Sequence, residues 1–190
     1  MSTTGRRELV LLLVGCDAMG QPNDSVAGIT RLQKLLFLLE KEARVVPDGD
    51  GFEFIPYKAG PYSSTLYDDL ELLENLGFLE GTVVAEATGE EAAEVDRLNF
   101  EDLMGDGDAD SHPDAYEERQ FCLTRQGREV VESLLNDGTL SAAVEGIRTI
   151  KSKYAHYSLL DLLQYVYTKY PGMTQASEIL DKVRRHRGRR

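Results

Sequence analysis

Apolar positions along this chain recur at helical spacing in several blocks and alternate in a few short ones, with Gly, Pro, Asn and Asp clustered between them. RRELVLLLVGC at 6–16 is apolar on nearly every side of a helix, which predicts a first, buried helix over residues 6–19. Ile29, Leu32, Leu35, Leu36 and Leu39 repeat at steps of three and four and predict a second helix with Thr30 as N-cap. Arg31, Lys34, Glu40, Lys41, Glu42 and Arg44 then fall on its solvated side. PDGDG at 47–51 is a turn, and FEFIPY at 52–57 alternates as a short strand. Pro56 holds that strand to an edge, because it has no N–H for a ladder.

Gly60-Pro61 breaks the strand, Ser63, Ser64 and Thr65 offer caps, and Leu66, Leu70 and Leu73 lie on one face of a third helix ending near residues 75–77. Residues 78–84 read as a strand and 119–124 as its return partner. Gly127 turns the chain into a helix over 128–135, and further helices are predicted over 140–151 and 159–167. Helix, helix, strand, helix and hairpin is the order of a winged helix-turn-helix, with the third helix in the recognition position. The expected fold class is α+β, mainly helical. A winged-helix-like domain spans 1–136 with an insertion at 85–118, a helical extension spans 137–181, and a basic disordered tail spans 182–190.

Charge changes this picture more than composition does. The chain has 190 residues, 42% of them apolar, enough for one sizeable core, and a formal charge of −12. Residues 85–118 hold thirteen carboxylates against Arg97 alone, so that insertion carries the whole imbalance. It is expected to be mostly disordered and separable from the fold. The tail KVRRHRGRR carries six positive charges on Lys182, Arg184, Arg185, Arg187, Arg189 and Arg190. It reads equally as a solubilising tail and as a contact for nucleic acid or an acidic partner. Five of the nine tyrosines, Tyr154, Tyr157, Tyr165, Tyr167 and Tyr170, fall in the C-terminal helices, where core packing is the expected role.

Catalytic and metal patterns are missing from the sequence. His112, His156 and His186 join no constellation, and Asp106, Asp108 and Asp110 lack the glycine and bidentate glutamate of a calcium loop. Cys16 and Cys122 are isolated and expected as buried thiols of a reducing cytoplasm. No enzyme, cofactor or metal is expected. ELVLLLVGC behind Arg6-Arg7 has the outline of a lipoprotein signal, but Glu8 interrupts its flank and the apolar run covers only 9–14. No run approaches the ~20 apolar residues of a membrane span, so neither membrane nor export is expected.

ITRLQKLLFLLE, YKAGPYSSTLYDDLELLENLGFLEG, FCLTRQGREVVESLL and KYAHYSLLDLLQYVYTKYP, followed by SEI, together resemble the YwgA-like family of small bacterial and archaeal proteins. More loosely they resemble the SocA-type (Panacea) antitoxin domain. The resemblance covers residues 6–179 without 85–118, and its most specific element is the Gly-Pro-Tyr-Ser turn. It implies a winged-helix-like fold and a link to regulation, toxin–antitoxin or defence systems, and it implies no catalytic residues.

Two functions fit such a scaffold. A DNA reader would use Arg31 and Lys34 on the second helix and the basic tail. Yet major-groove readout relies on Arg, Lys, Asn or Gln, and the third helix turns Asp68, Glu71 and Glu74 outward. A protein-binding regulator or adaptor is therefore the favoured expectation, with DNA-binding transcriptional regulator as the alternative and a homodimer as a candidate assembly. Its expected contact surface is Tyr57, Lys58, Tyr62, Tyr67, Asp68, Glu71 and Glu74.

Overall fold

A computed structural model describes residues 4–20, 25–49, 51–83, 95 and 119–187. Among them run α1 (Arg6–Gly15), β1 (Ser25–Ala27), α2 (Ile29–Glu42), β2 (Ile55–Tyr57), β3 (Gly60–Tyr62), α3 (Ser64–Asn75), β4 (Leu79–Val83) and β5 (Arg119–Leu123). The chain continues through α4 (Arg125–Asp137), α5 (Ser141–Tyr154), α6 (Leu159–Lys169), a 3-10 turn (Pro171–Thr174) and α7 (Leu180–Arg187). The fold is α+β, with small antiparallel sheets among mostly helical elements.

α1 is buried from Leu9 to Gly15, as its unbroken apolar run requires, and ends at Gly15, short of the expected residue 19. α2 begins at Ile29 behind Gly28, so Thr30 is not its cap but a buried residue of its first turn. The expected solvated face of α2 is also corrected. Every residue from Ile29 to Leu39 is buried except half-exposed Arg31, because α5 and α6, as well as α1, pack against α2. Residues 137–181 therefore share the core through Leu140, Ile147, Ile150, Leu162 and Leu163, and are not an appended extension.

The three-stranded sheet has the order β1-β5-β4, all antiparallel. Leu79 pairs with Leu123 and Val26 with Phe121, which puts one apolar face of the sheet into the core. β4 and β5 are the expected hairpin arms, while β1 was not anticipated from its three residues. α3 ends where Gly77, at φ 74°, lets the Phe78 N–H reach the Leu73 carbonyl and its own N–H reach that of Glu74. This left-handed stop satisfies two orphan carbonyls and aims the chain into β4. Within 85–118 only Val95 is described, and its side chain is fully buried in the core. Val95 is thus a core residue within the segment expected to be separable. The expected structure of the rest of 85–118 lies outside the described residues.

Candidate protein-interaction surface

Residues 55–62 form a two-stranded hairpin where the sequence suggested one edge strand and a break. Its register is Ile55 with Tyr62, Pro56 with Pro61, and Tyr57 with Gly60, closed by Lys58 and Ala59. Alternation puts Ile55, Tyr57, Gly60 and Tyr62 on one face. Gly60 is needed there: a Cβ would lie 2.8 Å from a ring carbon of Tyr167. The other pair is two prolines, so neither strand offers an N–H at that position.

The hairpin is tied down from beneath. Buried Lys34 donates from Nζ to the Pro61 carbonyl at 2.8 Å, and Ser63 N–H donates to Gln33 Oε1 at 3.1 Å. Glu178 N–H donates to the Lys58 carbonyl at 2.9 Å. Ser63 caps α3 through the Leu66 N–H, which fixes the rotation of that helix relative to the hairpin.

On α3, Ser64, Tyr67, Asp68 and Glu71 occupy successive i, i+3, i+4 and i+7 positions and share one stripe. Tyr57 and Tyr62 have ring centroids 4.6 Å apart at 38°, and Tyr62 and Tyr67 5.7 Å apart at 37°. A row of rings thus runs from half-buried Tyr57 and Tyr62 on the hairpin onto α3, where Tyr67 beside Asp68 and Glu71 is buried in the core and is therefore withdrawn from the expected contact surface. Both carboxylates are exposed, and among the described residues neither makes a hydrogen bond or ion pair. Ile55, the cross-strand partner of Tyr62, is 53% exposed. Lys58 sits in the hairpin turn, 6.0 Å from the Tyr57 ring centroid and 4.0 Å from Glu178.

The remaining acids of α3 behave differently. Asp69 is 1% exposed and takes Arg6 at 2.8 Å and Arg7 at 2.9 Å. Glu74 pairs with Arg119 at 2.6 Å, so it is withdrawn from the expected contact surface. Asp69 was legible in principle, since it falls between Leu66 and Leu73 on the inward stripe.

The basic residues expected to meet nucleic acid are only partly in reach of it. Arg31 donates to the Tyr157 carbonyl at 2.8 Å, and Lys34 is fully buried, which removes it as a phosphate contact. Lys182, Arg184, Arg185 and Arg187 belong to α7 and not to a disordered tail; Val183 is buried, and His186 lies 3.1 Å from Asp161. Arg184 and Arg185 are exposed, Lys182 is half-buried, and Arg189 and Arg190 lie outside the described residues.

Sequence reasoning missed a second assembly. Glu42, assigned to a solvated face, accepts from Tyr154 at 2.6 Å, Tyr165 at 2.8 Å, Lys169 at 2.9 Å and Lys153 at 3.1 Å. Burial pushes its carboxyl up, but hydrogen bonds from Lys169, Tyr154, Tyr165 and Lys153 outweigh that and hold it down at about 2. The Tyr154 phenol is pushed up by burial and by its bond to Glu42, and the Lys169 ammonium is pushed up by its bond to Glu42. The shifts at Glu42, Tyr154 and Lys169 all move away from neutral pH, which favours a fixed clamp of one carboxylate by tyrosine hydroxyls and lysines. The tyrosine-rich C-terminus was its signal; the carboxylate it converges on, more than 110 residues earlier, had none.

Among the described residues, no group of three or more His, Cys, Asp or Glu could hold a metal ion, and no helix is long and apolar enough to cross a membrane. No protein-family model, curated protein or solved structure matches this chain.

Proposed function

We propose that this is a non-catalytic regulatory or adaptor protein of the winged-helix type, working in the cytoplasm through protein contacts. The sheet order β1-β5-β4, with α2 and α3 between β1 and β4, supports the winged-helix part of the reading. One observation carries the functional part. The helix in the recognition position presents unpaired Asp68 and Glu71 beside a tyrosine row, and it has no Lys or Arg. Facing phosphates, that surface has the wrong sign. Facing a protein with basic groups around an apolar anchor, it is complementary. The family resemblance points toward a toxin–antitoxin or defence setting, and a neighbouring toxin, nuclease or defence gene would strengthen that part.

A DNA contact keeps one observation in its favour, exposed Arg184 and Arg185 on α7. The double variant Asp68→Lys, Glu71→Lys separates the two readings. Both positions are exposed, so folding should change by no more than ~0.5 kcal/mol. A photocrosslinker at Ser64 should capture a defined host protein with wild type and lose it in the double variant. Tight, selective binding of one duplex by wild type at about 150 mM salt would overturn the interaction reading.

A further inference from the structure

We infer that Lys153, Lys169 and Tyr170, gathered around Glu42 at the end of α2, form a binding site for a small phosphate monoester. It shares no residue with the surface on α3 and stands independently of the interaction reading above. Two ammonium groups there share one carboxylate: Lys153 donates to Glu42 Oε2 at 3.1 Å and Lys169 to Glu42 Oε1 at 2.9 Å. The bond to Glu42 pushes the Lys153 ammonium up, while repulsion from Lys169 works against it. Exposed Lys41 adds a third positive charge nearby, 5.8 Å from the Phe37 ring against which Tyr170 packs edge-on. Glu40, the other carboxylate at this end of α2, is turned to the Phe52 N–H at 3.4 Å.

The ammonium groups are held in place without being used up. Lys153 lies 4.8 Å from the Tyr154 ring centroid and 5.7 Å from that of Tyr165, and Lys169 lies 5.3 Å from Tyr165 and 5.7 Å from Tyr170. An ammonium has three N–H donors. Among the described residues Lys153 uses one, on Glu42, and Lys169 two, on Glu42 and on the Tyr165 hydroxyl at 2.9 Å. Their side chains are 51% and 45% exposed, so the remaining donors are within reach of a solute. Half-buried Tyr170 supplies the third group. Its hydroxyl stands 3.5 Å from Glu42 Oε1, well beyond the ~2.7–2.8 Å of a good O–H···O bond, because that oxygen already accepts from Tyr165 and Lys169.

These three donors and the excess positive charge select the ligand. A phosphate monoester carries about −1.5 to −2 at pH 7 and three accepting terminal oxygens, one for each donor. A bridging dianion also relieves the repulsion between Lys153 and Lys169, which the single charge of Glu42 only half offsets. A carboxylate or a phosphodiester brings one charge and two free oxygens, and so leaves a donor and a positive charge unanswered.

The test titrates the full, isotope-labelled chain with glycerol 3-phosphate at about 100 mM salt and follows side-chain and backbone NMR shifts. Shifts should concentrate at Lys153, Lys169 and Tyr170 and saturate with a Kd on the order of 1 mM. Dimethyl phosphate and acetate should bind at least about fivefold more weakly. Lys153→Met and Lys169→Met should each lose about tenfold, the scale of one charge-assisted contact. Because either lysine change also loosens the clamp on Glu42, Tyr170→Phe is the second variant. It leaves the four short bonds to Glu42 intact, should keep its melting temperature, and should lose about threefold or more.

Equal affinity for glycerol 3-phosphate and dimethyl phosphate would overturn the inference. So would shifts of similar size at exposed cations elsewhere, such as Arg125, Arg184 and Arg185, because they would report a general ionic effect. Undiminished binding by Tyr170→Phe at an unchanged melting temperature would overturn it as well.

Discussion

Replacing Glu42 with glutamine should test how far one carboxylate fastens the C-terminal helices to α2. Glutamine preserves the shape and can still accept from the Tyr154 and Tyr165 hydroxyls, but it removes the charge that Lys153 and Lys169 face at 3.1 and 2.9 Å. Holding the carboxyl at about 2 against an ordinary 4.5 corresponds to ~3 kcal/mol at ~1.4 kcal/mol per unit. The two lysines are 51% and 45% exposed, so solvent screens them, and about 1.5–2 kcal/mol is the expected loss. In a chain of this length that is a fall of roughly 3–8 °C in Tm at pH 7. The sign is that of a carboxylate with a depressed folded value. Its contribution is full above about 4.5 and is lost as pH falls from there toward about 2. Urea unfolding of wild type and Glu42→Gln in parallel, from pH 7 down to 3, should show the gap between them shrinking to less than half. A gap under ~0.3 kcal/mol at pH 7, or one that does not narrow on acidification, would refute the ionic account of the clamp.

Other perturbations probe the remaining joints. Gly146→Val should cost at least ~1–3 kcal/mol in urea unfolding, since even a Cβ there lies 2.5 Å from Val45 Cγ2 and 3.2 Å from Ala43 Cβ. Lys34→Met strands the Pro61 carbonyl and should cost ~1–3 kcal/mol, with faster hydrogen exchange across the 55–62 hairpin and no change in any salt slope of DNA binding. Substituting a short linker for residues 86–117 removes Val95, whose fully buried side chain predicts a loss of ~1.5–3 kcal/mol by thermal melt. Asp69→Asn leaves Arg6 and Arg7 without their carboxylate and should lower Tm without changing the crosslink at Ser64.

Periodicity alone pointed to α1 to α6, because the recurrence of apolar residues is a local property of the chain, whereas α7 fell in the stretch expected as a disordered tail. The arms of β4 and β5 were legible for the same reason, and so was the outward row of Asp68 and Glu71. The charge imbalance of 85–118 could be read without any coordinates. What depended on neighbours distant in sequence could not. A two-sided environment made α2 a central helix and turned Thr30, Gln33 and Lys34 inward, although its polar face looked solvated. Ser25–Ala27 became a strand because β5 was there to pair with it, and Tyr57, Tyr62 and Tyr67 became a row because the 55–62 hairpin folds back against α3. Glu42 gathered tyrosines and lysines from α5 and α6 through packing that brings together residues 111 to 127 positions apart. A side chain's burial and partners are set by every element that reaches it, whereas a sequence window reports only the one element it belongs to.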